Sequence, residues 1–211
     1  MQLTRRDDEL LQVLSLRVKT VTPMQWWSHC WPAGNSGLRA CNRRVLALVD
    51  EGLVEVARGW AGVVAEPEGP LATWSPGAPT PDLANARSHS SARWSTALKR
   101  MRSVRHLRVT ASGAARVGGV VTPVRPSELS HDLLLTGAYL ATLRRYPNVA
   151  ARWENERISG RYGRGARGCD ALIRLPGRPV AVEVIGESYT HDHLVDLHAM
   201  CEEMDWRYQL W

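Results

Sequence analysis

The chain of 211 residues carries 27 Lys and Arg against 21 Asp and Glu, a net charge of +6 and a pI near 9.5. That length fills one large domain or two small ones, and the basic balance points to polyanionic partners, nucleic acid first. No apolar run reaches the ~18 residues of a membrane span, and acids stand in MQLTRRDDELL where a signal peptide is apolar. Cys30, Cys41, Cys169 and Cys201 form no CxxC pair, which argues against a zinc site. A cytoplasmic protein with no membrane partner is expected.

Thr4 ahead of Arg5-Arg6-Asp7-Asp8-Glu9 predicts a helix N-cap with acids in the first turn. Leu10, Leu11, Val13, Leu14 and Leu16 give that helix an apolar face to about Arg17. Thr22-Pro23 restarts a short helix through Trp26, Trp27 and His29, with the tryptophan pair expected in the core. Ser36 is expected to cap a third helix, with Leu38, Val45, Leu46, Leu48 and Val49 inward and Gly52 as its stop. LVEVARG and GVVAE alternate as two short strands turning at Gly59-Trp60.

Three helices followed by a hairpin resemble a winged-helix domain, here residues 1–66. The resemblance implies that the third helix enters the major groove of double-stranded DNA, with Arg39, Arg43 and Arg44 as contacts and Arg58 on the wing. The alternative is a winged helix used for protein contacts, in a homodimer or with another partner.

Residues 67–127 read as a Pro/Gly-rich linker or arm followed by a basic segment. Trp74 is expected to anchor the arm. No acid occurs between Asp82 and Glu128, while Lys99, Arg100, Arg102 and Arg105 lie among nine cations there. Uncompensated cations repel one another unless they face solvent or phosphate, so this stretch is read as a phosphate-tracking surface. SSARWSTALKRMRSV within it has a helical stripe of Trp94, Leu98 and Met101, and Gly113 with Gly118-Gly119 marks a loop.

From Ser130, expected as an N-cap, SHDLLLTGAYLATLRRY is apolar almost all round and predicts a buried helix. His131 and Asp132 lie in its first turn, either capping it or pointing to a site at a sheet end. Residues 148–156 predict a strand. CDALIRL puts Asp170, Leu172 and Arg174 on one face and Ala171 and Ile173 on the other. PGRP is the turn. VAVEV puts Val180, Val182 and Val184 opposite Ala181, Glu183 and Ile185. A carboxylate inside an apolar strand is costly unless paired or metal-bound, which singles out Glu183. A terminal helix carries His191, His193 and His198, and WRYQLW predicts an edge strand.

Helix, strand, hairpin, acid-bearing strand and helix over residues 128–211 resemble the PD-(D/E)XK nuclease-like fold. The fold class expected is therefore α/β, a winged helix followed by a mixed sheet flanked by helices. The resemblance implies Mg²⁺ held by Asp170 and Glu183, with Glu156, or Glu154 in its place, as a further acid. The order of motifs is also similar to replication-relaxation-type proteins of mobile elements: His131, Trp153 with Glu156, Cys169-Asp170-Ala171, and Val180 to Glu183. One departure matters. The PD-(D/E)XK pattern has a Lys two residues after the Glu, and this chain has Ile185. Arg174, His191 or His193 could replace its charge, or the fold could bind DNA without cutting it. Arg161, Arg164 and Arg167 in a Gly/Arg loop are expected to hold a nucleic-acid backbone beside the site.

Overall fold

The computed structural model describes residues 2–31, 33–62, 66–159 and 168–211. Helix α1 (Arg5–Gln12) begins at Thr4, whose N–H and hydroxyl both donate to Asp7 Oδ2, at 2.5 and 2.7 Å. A π-helical turn over Val13–Arg17 extends it. Helix α2 (Pro23–Cys30) starts with proline at its first position under a Thr22–Gln25 capping box. Helix α3 (Asn35–Asp50) is capped by Gly34, not Ser36, and its Leu46 is 60 % exposed rather than inward. Gly52, at φ +66, is the stop. Trp26 is buried, as expected.

The expected hairpin does not form. Val54–Gly62 is one continuous strand, β1, and its antiparallel partner is β3 (Met101–Val109), with Val54 opposite Val109 and Gly62 opposite Met101. Gly59 lies mid-strand because a Cβ there would sit 2.5 Å from Leu129 Cδ2. Glycine here serves a close approach to a helix, not a turn. The basic stretch therefore divides differently: helix α4 (Leu83–Leu98) ends before Met101, and Arg102, Arg105 and Arg108 lie on a strand. Gly113 belongs to a short helix, α5 (Ala111–Arg116).

Helix α6 (Leu129–Arg145) is buried along most of its length. Its N-cap is Glu128, while Ser130 Oγ accepts from Gly62 N–H at 2.9 Å, tying the end of β1 to the start of the helix. The region expected as a strand over 148–156 is a short helix, α7 (Pro147–Ala150), then a three-residue strand, β4 (Trp153–Asn155), and Glu156 opens a helical turn, α8 (Glu156–Ser159).

The larger sheet has five strands in the order β2-β7-β6-β5-β4. Here β2 is Ala72–Trp74, β5 Ala171–Ile173, β6 Val180–Glu183 and β7 Arg207–Leu210. β4, β5 and β6 run antiparallel, β7 is parallel to β6, and β2 is antiparallel to β7. The segment read as a linker supplies the edge strand β2, so the terminal strand β7 is interior. Residues 67–127 thus add one strand to each sheet rather than joining two finished domains.

The alternation read in CDALIRL and VAVEV holds. Ala171, Ile173, Val180, Val182 and Val184 join one core with α6 and the N-terminal helices. Leu172, Ala181 and Ile185 join the other, with α4 and helix α9 (His191–Glu203). A sheet covered on both faces accounts for these unbroken apolar runs. Trp153 couples the sheet to the N-terminal helices: its indole donates to Arg17 O at 3.1 Å, and Arg17 Nη1 donates back to Trp153 O. The architecture is mixed α/β, and among the described residues no helix is long and apolar enough to cross a membrane.

Candidate functional site

The end of the five-stranded sheet brings three titratable groups together. Asp170 immediately precedes β5, Glu183 ends β6, and His131 lies in the first turn of α6. Asp170 N–H donates to Glu183 Oε2 at 3.1 Å, and Val184 N–H donates to Asp170 Oδ2 at 2.8 Å. His131 Nε2 lies 3.2 Å from both Asp170 Oδ2 and Val184 O. Tyr189 OH donates to Glu183 Oε1. Asp170 Oδ1 accepts no hydrogen bond from a described residue.

Burial, and then the neighbouring Asp170 carboxylate, hold Glu183 well above the usual carboxylate range. Burial alone would lower His131; Asp170, seconded by Asp132 and Glu183, more than reverses this and holds it up at about 9. A folded-state pKa raised above the ordinary 6.5 contributes stability that is fully present below that pH and is lost as pH rises through about 9. The raised Glu183 gives the same sign, beginning lower. Thermal melts should therefore show midpoint temperature falling between pH 6.5 and about 9, and His131→Gln should flatten that slope. An equal slope in the variant would exclude His131 as its source.

A second charged cluster adjoins the first. Lys19 is only 8 % exposed, with its ammonium 2.9 Å from Glu156, 3.1 Å from Asp132 and 3.8 Å from Glu128. Asp132 is 1 % exposed, and burial raises it to about 6 despite Lys19. The two clusters share a cleft of about 1140 Å³, lined among others by Lys19, His131, Glu156, Arg125, Arg157 and Asp170. Trp60, 67 % exposed, also lines it.

Not every residue expected at the site is there. Arg174 follows β5 while Asp170 precedes it, which separates them by about 13 Å at strand rise, and Arg174 Nε pairs with Glu154 at 2.9 Å. Glu154 is thereby engaged away from the acids as well. Glu156 reaches the cleft, but as a partner of Lys19. His193 Nδ1 accepts from Thr190 N–H in the cap of α9, and His191 is exposed on that helix. Ile185 is buried, and its carbonyl accepts from Ser90 Oγ and Trp94 Nε1 at 2.7 and 2.6 Å. Arg161, Arg164 and Arg167 lie outside the described residues. Lys19 and Tyr189 were missed. The available signal for Lys19 was composition: it is one of two lysines in an arginine-rich chain.

The cations assigned to nucleic acid fall into two sets. Arg39, Arg43, Arg58, Lys99, Arg100, Arg102 and Arg105 are exposed. Arg58 faces Arg105 across the β1–β3 ladder. Asn42 of α3, Arg58, Arg102 and Arg105 line a groove of about 740 Å³, which Ser130 borders together with the acidic cleft. Arg44 differs. Its Nε donates to Asp7 Oδ1 at 2.7 Å and its Nη2 to Gln2 O at 2.8 Å, so it fastens α3 to α1. Asp7 is 1 % exposed. Arg44→Ala should cost about 1.5–3 kcal/mol, the range for hydrogen bonds to charged groups, read as a lower denaturation midpoint. Exposed Arg43→Ala should leave that midpoint within about 0.5 kcal/mol of wild type.

Searches against protein-family models, curated proteins and solved structures found no match to this chain.

Proposed function

We propose that this protein binds double-stranded DNA and that the cleft beside Asp170 and Glu183 is a Mg²⁺-dependent phosphodiester-cleaving centre, an endonuclease or nickase of mobile-element replication or DNA processing. The observation that carries the reading is the carboxylate pair itself. Two acids from neighbouring strands are locked together at a sheet end, beside a cleft bordered by Lys19, Arg125 and Arg157. Such a pair, with Glu183 held above its usual range by burial and by its neighbour, is relieved by a hard divalent cation. The donor set fits Mg²⁺: Asp170 Oδ1 is free of hydrogen bonds from described residues, and Glu183 and the Val184 carbonyl supply further hard oxygens. Bound there, Mg²⁺ supplies Lewis-acid stabilisation of charge developing on the phosphate.

The chain's own side chains have distinct parts in this reading. His131 and Val184 N–H orient Asp170, and Tyr189 orients Glu183. Lys19 brings the cleft a fixed ammonium, the charge type that Ile185 removes from its customary place. Trp60 offers an exposed indole face on which a base can stack. The grooved surface of Asn42, Arg58, Arg102 and Arg105 would track phosphates.

A second reading rests on His131. Its Nε2, 3.2 Å from both Asp170 Oδ2 and Val184 O, sits where a cation would meet those oxygens. In that reading the imidazolium neutralises Asp170 permanently and the protein grips DNA without cutting it. Plasmid nicking separates the two.

DNA binding itself is tested by affinity against salt. Arg100→Ala with Arg102→Ala should weaken binding uniformly across sequences, and Arg39→Ala with Arg43→Ala should weaken it as well. Each lost phosphate contact should reduce the log–log salt slope by about 1. Salt-independent affinity, or none, would overturn DNA binding and favour an interaction subunit.

A further inference from the structure

We propose that Glu9, His29 and Cys30 form a Zn²⁺ site that clamps α1 to α2. One ligand atom from each of the three lies within 4.8 Å of the other two, and among the described residues this is the one His/Cys/Asp/Glu group that meets that condition. Glu9 Oε1 and His29 Nε2 are 3.2 Å apart, the separation of two ligands on one edge of a zinc tetrahedron with bonds of about 2.0–2.2 Å.

The cysteine spacing gave no hint of this, because the ligands are of mixed type and the carboxylate comes from another helix. His29 and Cys30 close the last turn of α2, and Glu9 projects from α1. The same junction is bridged by Arg6, which lies 5.1 Å over the Trp31 ring. The partners of Glu9 and His29 in the absence of metal are each other. A thiolate, an imidazole and a carboxylate suit a borderline-soft d¹⁰ ion, whereas Mg²⁺ takes oxygen ligands. Three protein ligands at an incompletely buried junction leave the fourth position to water. The site is separate from Asp170 and Glu183 in ligand chemistry and does not depend on the nuclease reading.

Cobalt(II) is the probe, because thiolate ligation gives it a near-ultraviolet charge-transfer band. The full chain, stripped of metal, should take up one Co²⁺ with that band, and one equivalent of Zn²⁺ should abolish it. Cys30→Ser should remove the band, and His29→Gln and Glu9→Gln should each weaken Co²⁺ affinity by at least about tenfold. Zn²⁺ should raise the thermal midpoint of the wild type and not of Cys30→Ser. Circular dichroism of each variant confirms that it is folded. No band at stoichiometric Co²⁺, or a band that survives in folded Cys30→Ser, overturns the assignment.

Discussion

Asp170→Ala and Glu183→Ala should each lower Mg²⁺-dependent nicking of supercoiled plasmid by at least about 100-fold, the scale seen when one charge-stabilising group leaves an active site. DNA affinity should not fall in either variant, since each removes a negative charge from the cleft. The two substitutions should also be grossly non-additive, because both carboxylates would serve the same cation. The double variant should be no worse than either single one. The measurement is nicked and linear product against time, with Mg²⁺ or Mn²⁺ and with chelator as blank. Wild-type protein that binds plasmid but leaves it intact in every metal would decide for the non-catalytic reading and for His131 as a permanent counter-charge.

The second large effect concerns stability. Lys19→Met should cost about 3–5 kcal/mol, the range for removing one partner of a buried ion pair. Lys19 is 8 % exposed and Asp132 1 % exposed, so the substitution leaves a carboxylate in a place water does not reach. Neither Asp132 oxygen has a well-formed hydrogen bond to a described residue that could take over. Adding Asp132→Asn to Lys19→Met should recover most of the loss, since no charge is then stranded. Denaturant midpoints of the wild type, two single variants and the double variant check this. A Lys19→Met cost under about 1 kcal/mol would mean that Asp132 is solvated. Because Lys19 also borders the cleft, nicking by the folded double variant would show whether its ammonium is needed for chemistry.

Much of the local structure was legible. Capping chemistry placed Thr4 correctly, Thr22-Pro23 marked the start of α2, and strand parity placed Leu172 and Ala181 on one face and Ile173 and Val182 on the other. Both rest on interactions among residues close in sequence or on the fixed two-residue period of a strand. Ser36 and Ser130 were misplaced as caps, which Gly34 and Glu128 supply, and the other errors were non-local. Gly59 carried the local signature of a turn, yet its role is contact with Leu129, seventy positions away. Arg174 shares parity with Asp170, but parity gives a face and not a distance along the strand. Arg44 matched the pattern of a DNA-contacting residue until Asp7 was found beside it.

The amino-acid sequence by itself determined the mixed α/β class, the apolar strands and the acids at their ends, and the run of cations without acids. Those follow from periodicity, from the cost of an unpaired carboxylate and from charge repulsion, all of which act over a few residues. Only the tertiary structure decided which strands pair, so that β3 rather than a neighbour completes β1 and a supposed linker supplies the sheet edge. It also decided the partners of each charge, bringing His131 to Asp170, Lys19 to Asp132 and Tyr189 to Glu183. Burial is a property of the assembled core. The same carboxylate is costly or harmless according to what packs around it, and no local pattern in the chain encodes that.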